Sequence, residues 1–425
     1  MEAAAAAAAA ATARAGTGHH AGDLVQSVHR LLQTAEASAT SSSSIYHQPE
    51  GGIMSGNGVL EDTLSLFMVQ AVIIICVTRF LSLGTKFLKQ PRVIMEVVGG
   101  ILLGPSALGH IPGYLDTVFP AESLGYLALV ANLGLVLYLF LVGVELDPEV
   151  LRRNGQKAIS IAVVGIALPF GLGCLISPLL FNKLLLKDPG YENAAYSSFL
   201  VFVGVAMSIT AFPVLARILT ESKLILSTAG VMTMGAAALN DAIAWCLLVL
   251  ALSIVHSGRN KLTALFVFLA IAAYAIFLFV AVRPALQAVV RWVEMTGSSS
   301  LRSLLFALLI CCIFISAWIT AFLGVHAIFG SFLVGMIMPR DGKFTLHMCE
   351  KIDDLVSNIF LPLYFALSGL KTDIASIGHA IGVALLVLVV LMATAGKFIG
   401  CAGAARLNGI PWRESCVIGI LMNTR

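Results

Sequence analysis

The sequence predicts an all-α, polytopic membrane protein built as an inverted repeat. Three observations carry that expectation. The chain has 425 residues, 59% of them hydrophobic and only 12% charged, whereas a soluble domain averages about 25% charged. Apolar runs of bilayer-spanning length, about 20 residues, follow one another from Leu64 onward. Two separated segments of the first half also have counterparts 226 positions later in the chain.

Residues 1–60 stand apart from the rest. Ala3–Ala11 is an unbroken alanine run and Ser41–Ser44 a serine run, which predicts a disordered Ala/Ser-rich tail. No basic segment precedes the alanines, which argues against a signal peptide, while the composition leaves an organelle transit peptide open. Residues 61–425 form the expected transmembrane domain. Spans fall near 64–83, 93–109, 124–144, 158–180, 195–216, 225–255, 262–282, 303–324, 326–339, 355–370 and 380–405, and a twelfth begins near Cys416 and stops at Arg425. The segments at 93–109 and 326–339 are short and glycine-rich. Short, interrupted segments in matching places point to a transporter built from repeats. Cys76, Cys174, Cys246, Cys311, Cys312 and Cys401 lie inside apolar runs and no CxxC pair occurs, so they read as small buried hydrophobes.

Loop charge sets the orientation. Loops after odd-numbered spans hold 16 Lys and Arg residues, among them Arg152, Arg153, Arg302, Lys343 and Lys351, against 5 after even-numbered spans. The positive-inside rule puts the odd loops in the cytosol and the N-terminal tail on the other side. The repeat agrees with this topology. "VLYLFLVGVELD" (Val136–Asp147) aligns without gaps to "PLYFALSGLKTD" (Pro362–Asp373), and the same offset carries Gly100–Gly109 onto His326–Gly335, pairing Gly104 with Gly330 and Gly109 with Gly335. An offset of seven spans puts the two copies in opposite orientation, the architecture of alternating access.

Polar residues inside the spans mark candidate chemistry. Asp241, beside Asn240 in "AALNDAIAW", lies mid-span, where a carboxylate costs about 2.5–3.5 kcal/mol on insertion scales and is by default a functional candidate. Its bland reading is a buried carboxylate bonded to hydroxyls or paired with a base. Lys397, in "TAGKFIGC", lies inside a span; it either faces Asp241 or snorkels to the interface. Pro213, in "AMSITAFPVLARIL", has no N–H and clashes with the preceding turn, so that span is expected to bend or break there. Backbone opened at membrane depth is tolerated where it lines a cavity, and Ser208 and Thr210 put hydroxyls beside it. A plain kink, with the hydroxyls bonded back to the helix, is the alternative.

Five motifs in this order, "SITAFPVLARIL", "LNDAIAW", "HAIFGSFLVGMIMPR", "LPLYFALSGLKTD" and "GKFIGC", resemble the plant cation/proton exchangers of the monovalent cation:proton antiporter-2 family over about 64–425. The resemblance implies a sodium/proton antiporter fold with a panel domain, a mobile core domain and two broken crossing helices. It implies exchange of a monovalent cation, K+ or Na+, for H+ across a plasma membrane or endomembrane, in a homodimer. The family's Asn-Asp pair falls on Asn240 and Asp241, its unwound-helix threonine on Thr210, its core lysine on Lys397, and its second break begins at Asn423 and Thr424. In the family the chain continues through that break to a thirteenth helix and a large cytoplasmic domain, so a crossing incomplete at the C-terminus is expected here. In the expected mechanism proton and cation compete for Asp241, with Ser208, Thr210 and nearby carbonyls replacing part of the cation's hydration shell. Asn240 is expected to brace the broken helix by hydrogen bonding. Two other readings stay open: a cation channel without obligate proton coupling, and a non-transporting fragment that modulates a full-length partner. No phosphate-cradling GxxxxGK[ST], HExxH or nucleophile elbow is present, so no enzyme, cofactor, metal centre or nucleic-acid partner is expected.

Overall fold

The computed structural model describes residues 62–84, 91–146, 155–183, 196–255, 263–340, 342–374 and 380–424. The tail expected over 1–60 lies outside the described residues. The chain divides into two units, Met1–Met68 and Val69–Arg425. In the first, Asp62 Oδ2 accepts from the backbone N–H and the hydroxyl of Ser65 at 3.0 and 2.9 Å, a cap at the head of the first helix. The backbone bond comes first among the causes that hold the Asp62 carboxyl below its ordinary range.

Every regular element among the described residues is helical. The helices are α1 (Thr63–Leu83), α2 (Arg92–Leu103), the short α3 (Tyr114–Val118), α4 (Ser123–Glu145), α5 (Gly155–Lys183), α6 (Tyr196–Ser208), α7 (Phe212–Glu221) and α8 (Thr228–Val255). After them come α9 (Thr263–Phe277), α10 (Arg283–Thr296), α11 (Ser299–Phe322), α12 (Ile328–Ile337), α13 (Lys343–Leu355), α14 (Leu361–Leu370), α15 (Ala380–Leu407) and α16 (Trp412–Leu421). Eight helical stretches among the described residues are long and apolar enough to cross a membrane, and α12 is a shorter apolar helix. The protein is therefore an integral, multi-pass membrane protein, as the composition predicts.

Two helices run on further than the predicted spans. α9 runs into α10 through a π segment, Leu278–Val282, and α13 runs into α14 through another, Val356–Phe360. Each π segment stands just before a proline, Pro284 or Pro362. Proline lacks the N–H and crowds the preceding turn, and a widened turn accommodates it without ending the helix.

Packing within Val69–Arg425 sorts the helices into two sets. One holds α5, α6, α8, α15 and α16; the other holds α2, α4, α11, α12 and α14. α7 touches α8 of the first set and α2 and α4 of the second. The repeat is visible in the second set. α4 packs on α12 as α14 packs on α2. A Cβ on Gly143 would collide with the Phe332 carbonyl, and one on Gly335 with the Phe140 carbonyl. In the matching pair, a Cβ on Gly369 would strike the Val97 carbonyl and one on Gly100 the Ala366 carbonyl. Close backbone approach of this kind needs small residues at the contact.

This packing confirms the pairing of Val136–Asp147 with Pro362–Asp373, which puts Gly143 on Gly369. It corrects the other pairing. Gly335 is the counterpart of Gly100, not of Gly109: Gly104 caps the end of α2 and Gly109 lies in a 3₁₀ turn, whereas Gly330 and Gly335 are inside α12. The first copy carries more residues between its two matched glycines, Gly100 and Gly143, than the second does between Gly335 and Gly369, so one ungapped offset cannot serve both.

The cysteine expectation also fails in part. Cys401 is buried, but Cys76, Cys311 and Cys312 are exposed and Cys174 is intermediate. The outer surface of a membrane bundle is as apolar as its interior, so an apolar run does not imply burial. The side chain of Cys246 lies outside the described residues.

Candidate functional site

The span predicted at 195–216 is two half-helices. α6 ends at Ser208, Ile209–Ala211 are non-helical, and α7 starts at Phe212. Pro213 is at the second position of α7, where its missing N–H leaves no helical bond unmade. The break therefore precedes the proline instead of falling on it: the ring excludes a helical turn before it and fits the first turn after it.

The second predicted break lies directly against the first. Beyond α16, Met422 and Asn423 form a turn. Ala211 N donates to Thr424 O at 2.8 Å, and Thr210 Oγ1 donates to Met422 O at 3.4 Å. Phe212 N donates to Thr210 O at 2.9 Å. Each interrupted segment thus satisfies backbone groups that the other leaves open, which an apolar medium requires. Asn423 Nδ2 ties this turn to α15 and α16 through Thr394 O and Gly419 O, both at 3.2 Å, and Thr424 Oγ1 donates to Leu421 O at 2.6 Å.

Lys397 closes the end of α6. It is fully buried on α15, and its ammonium donates to the Ser208 carbonyl. A cation at a helix C-terminus meets both an open carbonyl and the negative end of the helix dipole. The snorkelling alternative is excluded by this placement. The Ser208 hydroxyl donates back to Val205 O at 2.8 Å, which leaves its oxygen lone pairs to accept. Thr210 is fully buried as well.

Asn240 and Asp241 sit near the middle of α8, which packs against α6, α7 and α16. Asp241 is buried, 6% exposed, and Asn240 completely so. The Asp241 carboxylate is within electrostatic reach of Lys397 and of Tyr364 on α14. The bond expected from Asn240 to the broken helix is absent: Oδ1 and Nδ2 are both buried with no partner among the described residues. An amide in that state is unusual in a native fold.

The sequence reading overlooks a second polar cluster. Glu221 Oε2 accepts from Arg92 N at 2.7 Å and so caps α2 from α7. Glu221 Oε1 pairs with Arg217 Nε at 2.8 Å. Arg217 Nη1 donates to Ser357 Oγ at 3.1 Å, and Ser357 Oγ to Asp353 Oδ1 at 2.7 Å. Glu96 on α2 is buried beside this chain of contacts, within electrostatic reach of Arg217 and Glu221. The available signal was the Arg217–Glu221 spacing of one helical turn. That spacing alone does not distinguish a structural pair from a solvated one, since both residues fall just past the predicted span 195–216.

Fold and site together define a class: a multi-pass helical bundle with an inverted repeat, in which an interrupted helix meets the turn after α16 and a lysine and a carboxylate are buried in the same helix set. Within that class, the chain belongs to the sodium/hydrogen exchanger transmembrane family, which residues 50–425 match. It is 43% identical over 374 residues to Cation/H(+) antiporter 17 of Arabidopsis thaliana, covering 88% of this chain and 45% of that one. It is 35% identical to K(+)/H(+) antiporter 1 of Saccharomyces cerevisiae, covering 88% and 43%, and 36% identical to Na(+)/H(+) antiporter NhaS4 of Synechocystis, covering 86% and 87%. The chain spans under half the length of its plant and yeast relatives. Its fold is like that of the sodium proton antiporter MjNhaP1 from Methanocaldococcus jannaschii, with a TM-score of 0.59 at 13% identity over 85% of both chains.

Proposed function

We propose that residues 61–425 exchange a monovalent cation, K+ or Na+, for H+ by alternating access, with Asp241 as the shared site. The observation that carries this reading is the burial of Asp241 on α8, a helix that packs against both halves of the broken helix and α16, with the carboxylate within electrostatic reach of Lys397. One carboxylate cannot hold a proton and a cation together, so binding of one releases the other, and that competition couples the two fluxes. The unpaired Asn240 amide offers an oxygen to an arriving ion, and Ser208 and Thr210 stand at the break to replace part of its hydration shell. The first helix set would move as a core against the second, and the protein would work as a homodimer. Relatives named as K(+)/H(+) and Na(+)/H(+) antiporters support both candidate cations.

The test is cation-dependent proton movement in reconstituted vesicles. Asp241→Asn keeps the size and polarity of the side chain and removes its titration, so exchange is expected to vanish while the protein still inserts. Proton-coupled K+ or Na+ flux at the original rate in this variant would sink the mechanism.

A further inference from the structure

A cavity of about 820 Å³ lies away from Asp241, between the end of α10, the start of α11 and α13. None of the residues of the Asp241 site or of the Arg217–Glu221 cluster lines it. Lys343, His347 and Lys351 reach it from α13. Their spacing of four residues puts all three on one helical face. Arg302 reaches it from α11, and its Nη2 donates to Gly297 O at 3.3 Å. The single acid of the lining, Glu294, is already engaged: its Oε1 accepts from Phe344 N at 2.9 Å, at the start of α13. Three permanent cations and an imidazole therefore border one open space against a single carboxylate, which leaves the lining net positive.

We propose that this cavity binds a phosphate-bearing anion, namely the headgroup of a phosphorylated lipid. Arginine and lysine clusters recognise phosphate oxygens through charge-assisted bonds. Arg302, at the start of α11, and Lys343 and Lys351, on α13, fall on the side that loop charge assigns to the cytosol, where the anionic lipids of a membrane concentrate. The surroundings suit a lipid better than a soluble anion. Leu304 and Leu308, beside and just past the stretch of α11 that lines the cavity, are exposed apolar residues that acyl chains could lie along. Trp292 and Met295 are exposed at the end of α10, and tryptophan favours the level of the headgroups.

The test uses the whole chain in phosphatidylcholine nanodiscs, titrated with dioctanoyl phosphatidylinositol 4-phosphate and, separately, with soluble inositol 1,4-bisphosphate, with the thermal midpoint as readout. The lipid should raise the midpoint saturably. The Lys343→Ala/Lys351→Ala variant should need about thirty-fold more of it, since each basic group at the surface contributes about a factor of five to six. A Lys343→Arg/Lys351→Arg variant should bind as the parent does. An Arg291→Ala/Arg413→Ala control, which loses the same charge outside the cavity, should also be unchanged. An equal response to soluble inositol phosphate would uphold the phosphate site and assign it to a soluble anion instead. A midpoint that neither probe shifts, or equal weakening by both alanine pairs, would overturn the proposal.

Discussion

Lys397 holds the Ser208 carbonyl with the same ammonium that acts on Asp241, so one residue serves both the architecture of the break and the charge of the site. Removing it should show in stability as well as in transport. Lys397→Met leaves the carbonyl at the end of α6 buried and unbonded, at a cost of about 1–3 kcal/mol, and the unfolding temperature in detergent should fall accordingly. An unchanged temperature would mean that the ammonium does not rest on that carbonyl. Cys349, outside the spans on α13, gives a pH-dependent readout. Burial, followed by Glu145, Asp353 and Glu350, pushes its thiol up to about 11. A thiol with a raised value is reactive only as pH climbs toward that value, so roughly a thousandth is thiolate at pH 8. Maleimide labelling of Cys349, followed by mass spectrometry, should be slow at pH 7.5 and rise about tenfold per pH unit up to pH 10. Asp241 and Lys397 were legible in the sequence because charge is rare inside an apolar run. The missing partner of Asn240 was not, because it depends on which helix faces are brought together.

Helix positions could be read from the sequence because bilayer thickness fixes the length of an apolar run. The position of the break was only approximate: Pro213 announces a discontinuity, but the Ala211–Thr424 bond places it two to four residues earlier. The register of the α2–α12 pairing was misread because an ungapped comparison cannot sense residues added between two helices, whereas the glycine contacts can. The contacts from Arg92 through Glu221 and Arg217 to Ser357 and Asp353 fasten α7 to α2 and to the junction of α13 with its π segment. If α7 moves with the core, these contacts must open in every cycle. Glu221→Gln removes the ion pair and weakens the cap on α2. It should lower stability by about 1 kcal/mol, since breaking a helix cap typically costs that much, and it should change the turnover rate while leaving the cation affinity of Asp241 intact. A cation KM altered as strongly as the maximal rate would place Glu221 in the binding site instead.

For the molecule as a whole, orientation is the property most open to a direct check. Loop charge puts the start of α5 in the cytosol, and the inverted repeat puts the end of α14 on the opposite face. Gln156 and Thr372, exposed at those two places, are suitable reporters in a background whose eight native cysteines have been replaced. An impermeant thiol reagent added to the non-cytoplasmic face of sealed membranes should label Thr372→Cys and spare Gln156→Cys. Labelling of both from one face would break the inverted repeat and, with it, the structural case for alternating access at Asp241. The succession of spans was legible because bilayer length fixes the length of an apolar run. The sorting of helices into two sets was not, because lipid-facing and buried surfaces are equally apolar.

The bond between Ala211 and Thr424 joins residues more than two hundred positions apart, and that separation has a consequence for biogenesis. A ribosome adding about 5–20 residues per second needs roughly 10–40 s to make the second partner after the first. Throughout that interval the opened chain at Thr210–Ala211 has been synthesised without the carbonyls that will complete it. It must wait in contact with water, lipid headgroups or the insertion machinery, and α6 and α7 can settle at their final depth only when α16 arrives.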